Sequence, residues 1–150
     1  MRNLLKIAFG IIIIIILGYL TYIQLYSHSK PLSPEESNSL IQVYYPKSND
    51  TVSSPFVITG KAKGNWFFEA TAPVVLVDWD GLIIAEGYIQ AKGDWMTENF
   101  VEFEGTLEFK KPEMAEKTDF GKNGALILKK DNPSGLPEND DSLEIPVRFE

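Results

Sequence analysis

From Ile7 to Tyr26 the chain carries no charged residue, and six consecutive isoleucines, Ile11 to Ile16, lie inside that stretch. At about 1.5 Å of rise per residue, its twenty positions make a helix of roughly 30 Å, the hydrocarbon thickness of a bilayer. The stretch is therefore expected to be a transmembrane helix. Arg2, Lys6 and the amino terminus precede it without an acidic neighbour, whereas the far flank carries Lys30 and soon meets Glu35 and Glu36. The positive-inside bias puts residues 1–6 in the cytoplasm and the rest of the chain outside, with Tyr19, Tyr22 and Tyr26 toward the outer headgroups. A cleavable signal peptide shares the basic start, but its apolar region is usually only about 7–15 residues long and precedes a small-residue site. Here the run is longer and no Ala-x-Ala follows it, so the expected element is a retained signal anchor. Gly10 and Gly18 fall on different helix faces and form no GxxxG pairing motif.

The sequence has no cysteine, which removes a lipoprotein anchor, disulfides, iron–sulfur clusters and thiol chemistry. Residues 27–39, SHSKPLSPEESNS, hold five serines and two prolines with no apolar pattern, and read as a flexible linker. About 110 residues remain from Leu40 to Glu150, enough for one domain with a real core. The whole-chain balance is −7, and removing Arg2 and Lys6 leaves −9 for residues 27–150. That excess repels phosphate backbones, so nucleic acid is not an expected partner. The expected partners are the bilayer, through the helix, and an envelope protein or cell-wall component.

The periodicity of residues 40–150 is two, the signature of half-buried strands. Ile41, Val43 and Tyr45 alternate with Gln42 and Tyr44; Phe56, Ile58, Gly60 and Ala62 alternate with Val57, Thr59, Lys61 and Lys63. Val74 to Val77 is apolar on both faces, as in a central strand covered on two sides, and Asp80-Gly81 supplies hairpin chemistry before Leu82 to Ala91. From Phe100 to Lys110, Val101, Phe103, Gly105, Leu107 and Phe109 share one face, opposite Glu102, Glu104, Thr106 and Glu108. Leu126 to Leu128 reads as a short strand, and Leu143, Ile145, Val147 and Phe149 close the domain. Pro146 suits an edge strand, because a central one loses a ladder hydrogen bond. About seven strands and no convincing helix outside the span predict an all-β fold, an immunoglobulin-like antiparallel β-sandwich held by packing alone.

The same residues carry a resemblance. Ile41-x-Val43-x-x-Pro46, Ser54-Pro55-Phe56-x-Ile58-x-Gly60-x-Ala62, Phe68-Glu69-Ala70-Thr71, Leu76-x-Asp78, Gly93-Asp94-Trp95, the run Asp131 to Asp141 and a final Ile145-Pro146-Val147-x-Phe149 appear in order. Together, over residues 40–150, they look like the immunoglobulin-like domain named after bacterial spore germination proteins. The resemblance implies a bacterial, extracytoplasmic β-sandwich without established catalytic residues.

No catalytic set is evident. Glu69, Asp78, Asp80, Glu86, Asp94, Glu98, Glu102 and Glu104 are acid–base candidates by count, but a glycosidase needs one pair about 5–10 Å apart in a cleft. The only histidine, His28, lies in the linker, away from any serine–histidine–carboxylate set. Zinc and other cofactors are not expected. Asp78-x-Asp80-Gly81 begins like a calcium loop but places Ile89 where the closing carboxylate of position twelve belongs, and reads better as a hairpin turn. Glu138 to Asp141 is the other oxygen-rich loop considered for calcium.

Trp66, Trp79 and Trp95 are the candidate ligand-binding residues, able to stack on a sugar or anchor a protein if exposed, while a core position for most of them is the plainer expectation. Lys111 to Asn123, with one helical turn at Glu113 to Lys117, and residues 131–142 are loops longer than their connections need. The expected function is a non-enzymatic binding or structural module of the cell envelope; carbohydrate or peptidoglycan binding through exposed aromatics is the alternative, and a carboxylate hydrolase the least favoured.

Overall fold

A computed structural model describes Tyr19 and residues 40–150. The expected span and linker otherwise lie outside the described residues. Among the described residues no helix is long and apolar enough to cross a membrane. The chain from Leu40 builds strands β1 (Ile41–Tyr45), β2 (Thr51–Val52), β3 (Phe56–Lys63), β4 (Thr71–Asp78), β5 (Ile83–Ala91) and β6 (Phe100–Leu107). A five-residue helix α1 (Glu113–Lys117) follows, then β7 (Asn123–Lys129) and β8 (Ser142–Phe149). Alternation explains the strands residue by residue. In β3, Phe56, Ile58, Gly60 and Ala62 are buried while Val57 is exposed; in β6, Val101, Phe103 and Leu107 are buried while Glu102, Glu104 and Thr106 are exposed.

The strands form one eight-stranded sheet in the order β1-β3-β6-β5-β4-β7-β8-β2. Every pairing is antiparallel except that of β2 with β8. The expected two separate layers are thus one continuous ladder, curled until its two ends share a core. β5 makes the curl: most of its length pairs with β4, but only Ile89 to Ala91 also pairs with β6. The core cluster draws Ile58, Phe103 and Leu107 from one half and Val74, Leu76, Leu126, Val147 and Phe149 from the other. α1 sets its one buried residue, Ala115, into the same cluster.

Three local features differ from expectation or explain it. The eighth strand is β2, two residues too short for any periodicity to reveal. Pro146 lies on β8, which is flanked by β7 and β2 and is no edge. However, β2 reaches only Arg148 and Phe149, and the Pro146 carbonyl accepts from the Asn49 N–H at 2.7 Å. Because the polar atoms of one strand residue face the same side, the donor that proline lacks falls where no regular ladder runs. Gly60, finally, lies under the Gln42 carbonyl and the Phe103 ring, where a Cβ would have no room.

Candidate functional site

The structure separates the three tryptophans. Trp66 lies in a 3₁₀ turn after β3, is 1% exposed, and has its indole N–H buried without a partner. It offers no ring face to a ligand. Trp95 is half-buried and packs on the core near Gly64, whose Cβ position is filled by the Trp95 carbonyl. Both belong to the end of the sheet where β4 begins, since Phe68 bridges Thr71 and the Asp131 N–H donates to the Trp66 carbonyl. Trp79 follows Asp78 at the other end, roughly 25 Å away along a strand of eight residues. No shared stacking platform forms. Trp79 instead meets Phe120 edge-on, with ring centroids 5.3 Å apart, and both rings are exposed.

The candidate carboxylates are spread over turns and solvent. Asp78 Oδ1 accepts from the backbone N–H of Asp80 at 2.9 Å and of Leu82 at 3.0 Å, and Gly81 takes φ +79°, so this segment is the expected hairpin turn. Asp94 accepts from the Met96 N–H. Among the described residues no group of three or more His, Asp or Glu side chains converges to hold a metal ion. In the Lys130–Asp141 loop, Asn132 donates to the Leu136 carbonyl and to Asp140, and the Lys130 ammonium donates to the Asn139 carbonyl. That loop spends its polar groups on its own shape.

The two outer faces of the curled sheet differ in chemistry. Over β1, β3 and β6 the outer face is charged. Tyr44 donates to Glu102 at 3.1 Å, Lys92 pairs with Glu104 at 2.6 Å, and Lys61 and Lys63 stand over the Phe100 ring. Partial burial and the Glu102 carboxylate beside its hydroxyl push the Tyr44 phenol above its ordinary value. This is a solvated face of the usual kind.

Over β5, β4, β7 and β8 the outer face is apolar at its centre, with Glu86, Glu144, Lys129 and Arg148 around it. Register and alternation set out its rows. At mid-strand the row is Glu86, Val75, Ile127, Glu144; toward the hairpin it is Ile83, Val77, Ala125, Pro146; in the other direction Tyr88 stands beside Pro73. Val75 and Ala125 are buried yet lie outside the core cluster, which is the mark of the opposite face. Ile83 and Tyr88 are 52% and 65% exposed, and Val77 and Ile127 are half-buried. Arg148, held by Asp119 at 2.6 Å and by Asn123, bounds the lower end next to the Trp79–Phe120 pair. Sequence reading singled out the tryptophans and missed this lane. Its one visible signal was the apolar character of both faces of Val74 to Val77, a strand in want of a second cover.

A fold so ordered can be set against known proteins. Residues 40–120 match the family model described as the immunoglobulin-like domain of bacterial spore germination, and these are more than half of the chain. The chain belongs to this family. The match to the germination-type domain takes in β1 to β6 and α1, together with every tryptophan, and ends at Phe120. The run from Asp131 and the closing Ile145 to Phe149, which shared in the sequence resemblance, lie beyond the matched residues. No curated protein and no solved structure matches the chain.

Proposed function

We propose that the chain is a single-pass membrane protein that holds one germination-type immunoglobulin-like domain outside the cell as a non-enzymatic binding module. Its docking surface is the apolar outer face of β5, β4, β7 and β8. The observation that carries this reading is the contrast between the two outer faces, one carrying the Lys92–Glu104 ion pair, the Tyr44–Glu102 hydrogen bond and two lysines over Phe100, and the other a lane with an apolar centre that ends in exposed Trp79 and Phe120. A contiguous apolar surface of this kind on a small soluble domain marks an interaction site more often than it marks nothing. The uncharged span from Ile7 to Tyr26 and the basic residues before it support the anchor and its orientation. Membership of the germination-type family suits a module whose work is contact rather than chemistry.

Protease treatment of intact cells making the chain with an epitope at each end tests the placement. The expected result is loss of the C-terminal epitope and survival of a short N-terminal fragment. A domain protected until the cells are lysed overturns it.

A further inference from the structure

We infer that the apolar lane takes a basic amphipathic helix of a partner protein, lying along β4 between Glu86 and Glu144. This rests on the reading of the domain as a binding module and specifies what it binds. The first argument is backbone chemistry. β4 is paired on both sides, with β5 and β7, so an incoming strand finds no free edge there. The occupant must already have satisfied its own backbone and present only side chains, as a helix or a sheet face does.

Width then separates those two. Glu86 and Glu144 lie in one row with Val75 and Ile127 between them; the two glutamates are exposed, Ile127 is half-buried and Val75 is buried. Three strand spacings put them about 14 Å apart. A helix of about 10–12 Å fits between the carboxylates, whereas a second sheet covers them. From Pro73 to the Trp79–Phe120 pair the lane accommodates roughly three helical turns.

Charge selects the kind of helix. Carboxylates on both borders favour a helix with lysine or arginine on each flank, whose long stems cover apolar surface while the cations reach the glutamates. At the lower end Asp80 is exposed in the hairpin, and the Arg148 cation is already paired with Asp119. Lys129 is exposed two positions beyond Ile127 on the same face of β7, and shares a depression with Lys130, Asp140 and Asp141. The same charges disfavour the other occupants. A two-fold pairing of copies centred on Val75 and Ile127 sets glutamate against glutamate, between domains that each carry −9 over residues 27–150 (−7 for the chain less the two cations before them). An anionic lipid surface is repelled by the same borders.

The test uses the full chain in zwitterionic nanodiscs and two labelled 18-residue amphipathic helical peptides. The two share one apolar face; one has lysines on both flanks and the other glutamates. Fluorescence anisotropy is expected to show binding of the lysine-flanked peptide only. Glu86→Lys with Glu144→Lys is expected to reverse that preference. Val77→Lys with Ile127→Lys should weaken binding at least tenfold, and Glu102→Lys with Glu104→Lys on the opposite face should change it less than about twofold. Circular dichroism confirms that each variant is folded. Equal binding of both peptides, no loss with the Val77 and Ile127 replacements, or equal loss with the Glu102 and Glu104 replacements overturns the proposal. So does a lane-dependent dimer in sedimentation, or lane-dependent attachment to anionic vesicles. These outcomes leave the binding-module reading standing with a different occupant, whereas its placement outside the cell fails or survives in the protease experiment alone.

Discussion

At the scale of single residues, two side chains have costs that can be read directly. Trp66 buries an indole N–H with no partner. Trp66→Ala is expected to cost about 3–5 kcal/mol in urea denaturation, since it empties a large core site. Trp66→Phe should cost far less, because removing the unmet indole donor relieves a penalty of about 1 kcal/mol or more and so offsets part of the cost of the smaller ring. Tyr44 supplies a pH dependence. Its phenol is raised by partial burial and by donating to Glu102, so the folded state prefers the neutral form. The stabilisation is complete below the unfolded pKa and is lost as pH rises through the folded one. In an ultraviolet titration Tyr44 should ionise late, a phase that Tyr44→Phe removes, and Glu102→Gln should bring it partly back. None of this was legible in sequence. Alternation placed Tyr44 opposite the buried face of its strand, but the Glu102 carboxylate comes from β6, two strands away in the ladder and 58 residues on in the chain.

Elements were more legible than residues. β3 and β6 fall where alternation puts them, because each buries one face against the core and leaves the other to solvent. The β4–β5 hairpin was visible in Asp80-Gly81, since glycine is the residue that takes a positive φ without strain. What sequence did not convey is that Asp78, rather than Asp80, holds the turn, through two backbone N–H groups. Asp78→Ala should therefore lower stability by about 1–2 kcal/mol, while Asp78→Asn, which keeps one acceptor, should cost less than about 1 kcal/mol, both checked by thermal melting. β2 escaped notice because two residues have no period, and its pairing with β8 depends on a contact almost a hundred positions away: Val52 with Phe149.

For the whole molecule, the decisive element is β5, whose Ile89 is in register with β4 and with β6 at once and is fully buried. Ile89→Ala should cost about 2–5 kcal/mol, and unfolding followed by fluorescence and by circular dichroism should remain a single coincident transition, because both halves of the sheet feed one core. The sequence by itself determined an all-β domain, the faces of its long strands and the main hairpin, since local periodicity and turn chemistry depend only on near neighbours. It also set the expectation of an apolar anchor, which rests on the Ile7–Tyr26 composition alone. Only the tertiary structure decided that two layers are one curled ladder, that the tryptophans lie at opposite ends, and that Glu86, Val75, Ile127 and Glu144 stand in one row. The physical reason is register. Which residue faces which across a ladder is set by packing of strands far apart in the chain, and the outer lane exists only once that register is chosen.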